Sequence, residues 1–160
     1  DLGIGYLFEK NPQIEFSMLY YDTFELMVSP DHPLAKHTHT TIDALKDVPF
    51  IMLTPDTAGR RFVDQVFQKF GIVPQTVMEL SSSEEVKRMV ELNMGVAIIS
   101  KLSIANELKM GTLKMIKVDD LEIMHPVGVM YKAGRYLNAA MRQFLRDLQG
   151  MPETTFLGTE

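Results

Sequence analysis

The segment Thr54-Pro55-Asp56-Thr57-Ala58-Gly59-Arg60-Arg61 holds the densest chemistry in the chain. It joins a short apolar run to an amphipathic one, so hydroxyls, a glycine and two guanidinium groups fall at the expected start of a helix. The first turn of a helix leaves amide N–H groups without intrahelical partners and carries the positive end of the dipole. With an arginine beside it, that end suits a carboxylate or a phosphate. A second reading needs no ligand: Thr57 or Asp56 caps the helix and both arginines are solvated. No Gly-Lys-Ser or Gly-Lys-Thr occurs, which excludes a Walker loop.

Ser81, Ser82 and Ser83 follow the next extended run and precede Glu84 and Glu85. Serine three residues before glutamate makes a capping box, and capping alone accounts for the triplet. Its place at a strand end also puts it on the same sheet edge as Thr54 to Arg61, where open parallel sheets bind ligands. Gly3 and Gly5 permit a close backbone approach, but Tyr6, Leu7 and Phe8 stand where a dinucleotide fingerprint needs its third glycine and helix, which rejects NAD. His37 and His39 are spaced like ligands on one strand, yet no third histidine or carboxylate pattern accompanies them, so no metal is assigned. His32 and His125 border prolines and read as turn residues. No nucleophile elbow gathers serine, histidine and acid, so no catalytic residue is assigned and no cofactor is implied. The 12 methionines fill core gaps or wall an adaptable pocket.

The elements that must carry these residues alternate. Leu2 to Leu7 reads as a strand end, Asn11-Pro12 as a turn, and Ile14 to Leu19 and Phe24 to Ser29 as two strands, the second stopped by Pro30. Thr41 to Leu45 reads as a short helix and Pro49 to Leu53 as a buried strand. Phe62, Val63, Val66, Phe67 and Phe70 make one helical stripe ended by Gly71. Thr76 to Leu80 is a strand, and Val86, Met89 and Val90 are the inner stripe of the next helix. Val96 to Ser100 is a strand, Leu102 to Lys109 a helix stopped by Gly111, and Leu113 to Val118 a strand. Such alternation predicts a doubly wound α/β lobe with a parallel sheet over about Phe50 to Val118. Pro126 to Tyr131 adds a strand, and Leu137, Met141, Phe144, Leu145 and Leu148 are the apolar face of a last helix. Extended passages near Leu26 to Pro33 and Lys117 to Pro126 flank the lobe. If both cross between lobes, the middle of the chain is an insertion and a cleft results.

The 160 residues carry 16 Lys and Arg against 21 Asp and Glu, a net charge of -5, with 46% hydrophobic residues and no cysteine. That is ample for a core and unlike a disordered chain. The acidic balance argues against a sequence-independent grip on nucleic acid, which needs cations to displace phosphate counterions. Without cysteine there are no disulfides, thiolate metal sites or thiol nucleophiles, which fits a reducing compartment. The apolar runs fall far short of the roughly 20 residues of a spanning helix; a cytoplasmic location is expected.

Several motifs in order complete the reading. They are Asp1-Leu2-Gly3-Ile4-Gly5; Phe24-Glu25-Leu26-Met27-Val28-Ser29-Pro30-Asp31-His32-Pro33-Leu34; Ser82-Ser83-Glu84-Glu85-Val86-Lys87-Arg88-Met89-Val90; Met94-Gly95-Val96-Ala97-Ile98-Ile99-Ser100; and the closing Phe144-Leu145 helix. Together they resemble the effector-binding domain of LysR-type transcriptional regulators, over the chain to about Gly150. The resemblance implies two Rossmann-like lobes of the type 2 periplasmic-binding-protein kind, joined by two crossing strands, with an effector held between them. On that basis residues 1–28 and 126–150 form lobe I, 29–125 lobe II and 151–160 a tail. It further implies that a winged helix-turn-helix, a linker helix and the opening strand, helix and strand of lobe I belong upstream of Asp1. DNA would be reached only through that absent part, and the regulator would be a homodimer or homotetramer, with the helix Glu84 to Leu92 as a contact.

Carried over residue by residue, the implied effector site comprises Gly5 and Tyr6 on lobe I and Thr23 before the crossing strand. Lobe II supplies Thr54, Thr57, Gly59, Arg60 and Phe62, with Ser82, Ser83 and Ile98 closing the pocket. Arg60 is the expected anion partner, Thr57 and Ser82 hydrogen-bond the effector, and Phe62 packs on it. The rival reading is a solute-binding protein of a transport system, and a third is an enzyme on a flavodoxin-like lobe, for which no acid-base constellation is present.

Overall fold

The computed structural model describes residues 1–7, 9–119 and 121–152. The expected tail lies outside them from residue 153 onward. The chain divides into two compact units, Asp1–Asp22 with Met124–Glu160, and Thr23–Ile123. It passes between them at Asp22/Thr23 and at Ile123/Met124, earlier in the chain than the 28/29 and 125/126 steps set from sequence.

The first crossing is hidden in the sequence because one strand carries it. Ile14 to Leu19 and Phe24 to Ser29, read as two strands, are a single strand β2 (Ile14–Val28). In the first unit β1 (Gly3–Tyr6) pairs antiparallel with β8 (Ile123–Lys132), Gly5 opposite Gly128, and β8 lies between β1 and β2. The last helix, α4 (Ala139–Gln149), is capped by Asn138, whose Oδ1 accepts from Met141 N at 2.9 Å. Of its expected face, Leu145 is buried and Phe144 is exposed.

In the Thr23–Ile123 unit β4 (Pro49–Leu53) and β5 (Gln75–Leu80) pair in parallel, and a parallel bridge from Phe50 to Val96 joins β4 to the start of β6 (Ala97–Ser100). Strand β2 pairs antiparallel with β6 and with β7 (Lys114–Val118), and β3 (His39–Thr40) runs parallel to β7. Side by side the strands read β5, β4, β6, β2, β7, β3. Five run one way and β2, in their midst, runs against them. The expected wholly parallel sheet is therefore corrected to a mixed one: β2 enters from the other unit and meets the sheet from the opposite end. The α/β class itself holds, with both faces covered.

Helix α1 (Ala58–Lys69) packs one face, where Phe62 meets Phe24 edge to face at 5.5 Å and Phe67 meets Phe50 at 5.3 Å. On the other face α2 (Ser83–Glu91) sets Val86 and Val90 against Met27, Ile51, Ala97, Ile99, Ile104 and Leu113. The expected helix Leu102 to Lys109 begins as a 3-10 turn at Lys101–Ile104 and continues as α3 (Ala105–Met110); Thr41 to Leu45 is likewise only a 3-10 turn, Asp43–Leu45. Gly71 and Gly111 follow their helices with φ of 64° and 72°, the left-handed conformation expected of helix stops.

Candidate functional site

Strands β4, β5, β6 and β7 end on one edge of the sheet, at Leu53, Leu80, Ser100 and Val118. The reversed strand β2 enters this unit at the same edge, since Phe24 lies opposite Ser100. Register pairs Leu53 with Leu80, and Thr54 N–H donates to Leu80 O at 2.9 Å, so the two hydroxyl-rich loops leave the edge side by side. This neighbourhood unites Thr54, Thr57, Gly59 and Arg60 with Ser82 and Ser83, and Thr23, half-buried, stands at the entry of β2. Gly5 and Tyr6 belong to the other unit, on β1, where the Tyr6 hydroxyl donates to Asp22 Oδ2 at 2.6 Å.

Thr57 settles the capping question. Its Oγ1 accepts from Arg60 N at 3.3 Å and donates to Thr54 O at 2.9 Å. Asp56 is exposed, and its carboxyl is held below the ordinary value first by a hydrogen bond with the Thr54 side chain. At the second loop the full capping box forms: Glu85 N donates to Ser82 Oγ at 3.3 Å, and Ser82 N donates to Glu85 Oε2 at 3.2 Å. The Ser82 oxygen is thus an acceptor whose own proton remains available. The half-buried Ser83 hydroxyl has no hydrogen-bond partner among the described residues.

Arg60 is neither solvated nor open-handed. Its Nε donates to Asp64 at 2.8 Å, and Nη1 donates to Glu79 at 2.7 Å and to Leu53 O at 2.7 Å. Burial works against its charge, and the bonds to Glu79 and Asp64 outweigh it, so the guanidinium stays above its ordinary value. Two carboxylates already neutralise it, and Nη2 stands outside these three bonds. Phe62 is buried against Phe24, and Ile98 is buried in a small crevice with Met52, Leu53, Gly59, Arg60 and Val63.

The edge also gathers residues that sequence reasoning passed over. Ser100 is buried at the end of β6, and Phe24 is buried opposite it. Glu25 is half-buried; burial holds its carboxyl above the ordinary value, against the pull of Lys101 and Lys117. The only signal in the sequence was a lone charge inside the apolar run Phe24 to Val28. Among the described residues no group of three or more His, Asp or Glu could hold a metal ion, and no helix is long and apolar enough to cross a membrane.

The model of the LysR substrate binding domain matches residues 1–151. The chain belongs to the LysR substrate-binding domain family. This LysR domain is 30% identical, over 118 residues, to the RuBisCO operon transcriptional regulator of Acidithiobacillus ferrooxidans, covering 74% of the chain and 38% of that protein. It thus spans well under half of that relative's length. Among solved structures it is similar to the regulatory domain of Synechocystis PCC6803 CcmR in complex with 2-PG, with a TM-score of 0.86 and 25% identity, covering 93% of this chain and 72% of that one. The effector-binding domain of QuiR in complex with shikimate shares the fold, with a TM-score of 0.82 at 22% identity, over 93% of this chain and 69% of that one.

Proposed function

We propose that this chain is the effector-sensing part of a LysR-type transcription regulator and that its ligand is a small anion, a carboxylate or phosphate ester. The observation that carries the reading is the family match over residues 1–151. It favours the regulator reading over a transport-type solute-binding protein. The anion class is supported by the first turns of α1 and α2, which leave the sheet at one edge, and by the 2-PG bound to the similar CcmR domain.

In this reading the Ser82 and Ser83 hydroxyls donate to the effector, with Thr54, Thr57 and Gly59 beside them, while Arg60 holds the frame. Phe62 and Ile98 back the site from the core, and Thr23 stands at the same edge. The domain binds its effector without turning it over. DNA is reached through a separate helix-turn-helix, the working form is a homodimer or homotetramer, and the compartment is the cytoplasm, where the DNA is. An effector regulates only to the extent that it binds two arrangements of the protein with different affinity.

Thermal unfolding with 2-phosphoglycolate, glycolate and inorganic phosphate tests the anion class, since a ligand at about 100 times its Kd adds about 2.7 kcal/mol to the folded state. The expected result is a clear rise of Tm with 2-phosphoglycolate and a smaller one with either fragment. No rise with any of the three overturns the phosphorylated-carboxylate assignment.

A further inference from the structure

We propose that Lys87 is a positioning residue for the Ser82–Ser83 loop, fixing where the start of α2 stands relative to the segment that follows β6. The inference rests on the reading above, in which that loop meets the effector. Lys87 is 5% exposed. Its ammonium donates to Ser103 O at 2.9 Å and pairs with Glu107 Oε1 at 2.8 Å and Glu84 Oε1 at 2.6 Å. Three donors meet three acceptors, so the buried charge is fully satisfied.

The partners lie on different elements. Glu84 is in the first turn of α2 beside the cap, whereas Ser103 and Glu107 belong to the 3-10 turn and helix that succeed Ser100. One ammonium therefore ties the capped end of α2 to the continuation of β6, and both bear on the same sheet edge. The arrangement is not the one that apolar packing would select for adhesion alone. Glu107 Oε2 is buried and has no hydrogen-bond partner among the described residues. A buried ion pair is weak evidence for stability, because well-packed apolar side chains of similar volume often hold as well or better. They would, however, let the two helices slide, whereas three directed bonds to one nitrogen admit a single register.

The test compares wild type, Lys87→Met/Glu107→Leu and Glu107→Gln by amide hydrogen exchange at Glu85 and Val86, whose N–H groups donate to Ser82 Oγ and Ser82 O, by thermal unfolding and by titration with 2-phosphoglycolate. The double variant is expected to keep its Tm within a few degrees, to exchange those amides at least tenfold faster and to bind at least tenfold more weakly. Glu107→Gln keeps the volume and an acceptor, and is expected to fold normally with about a threefold effect on both readouts. Unchanged exchange in a folded double variant overturns the proposal. Should that variant fail to fold, wild-type exchange in Glu107→Gln overturns it. A wild-type protein that ignores 2-phosphoglycolate counts against the site reading instead, and leaves the exchange measurement to decide on Lys87.

Discussion

By residue type and position Arg60 is a cation beside a helix start; in the fold it joins β4, α1 and β5, because Glu79 on the neighbouring strand comes within 2.7 Å. No spacing rule shows that pairing, since it depends on the parallel register of β4 and β5. Charge-assisted bonds of this kind are worth about 1.5–3 kcal/mol each when dry, but Asp64 and Glu79 are 47% and 44% exposed. Arg60→Ala is therefore expected to destabilise by only about 1 kcal/mol and to change 2-phosphoglycolate affinity less than threefold. Ser83→Ala is expected to do the reverse: stability within about 0.5 kcal/mol, and affinity about tenfold lower by titration. His32 offers a pH test. Its Nδ1 accepts from Leu34 N at 3.2 Å, so the ring must be neutral, and burial holds its pKa below the ordinary 6.5. The unfolded chain then takes up the proton first as pH falls. His32 thus contributes stability that is complete above 6.5 and is lost below it as pH moves toward the folded value. His32→Asn keeps an acceptor and should flatten that part of a Tm profile between about pH 5 and 8.

Elements with a strong local signature are where sequence and structure agree. The α1 stripe, the Ser82–Glu85 box and the Gly71 and Gly111 stops depend on neighbours within a turn or two, which a sequence displays. Strand β2 is different: Tyr20 to Thr23 breaks the apolar pattern because burial changes along the strand, and only tertiary pairing shows that the backbone stays extended. The reversal of β2 inside the sheet is equally invisible locally, since periodicity carries no direction. Gly95 shows how tightly the sheet is drawn together. A Cβ there would stand 2.7 Å from Pro49 O, the atom that accepts Val96 N–H at 2.8 Å. Gly95→Ala must push β6 away from β4, and a loss of about 1–3 kcal/mol in urea unfolding is expected.

The whole molecule is one continuous unit, Thr23–Ile123, and one assembled from both ends of the chain. The continuous unit has both sheet faces filled, by Phe24, Phe50, Phe62 and Phe67 on one side and the Met27 to Leu113 cluster on the other. Residues 23–123 made alone are expected to unfold cooperatively, and a featureless denaturant curve would show that this core needs the rest of the chain. The two-unit division was legible because extended passages flank the regular alternation; the exact crossings were not, since each falls within or beside a strand. The discontinuity has a consequence for the order of events at the ribosome. Residues 23–123 emerge as a complete set, whereas β1 must wait for its β8 partner, Gly3 for Met130. At about 5–20 residues per second, synthesis from the end of β1 at Tyr6 to the end of β8 at Lys132 takes about 6–25 seconds. During that interval β1 is a nascent strand without the neighbour it pairs with, and a holdase acting on the nascent chain would find its substrate there.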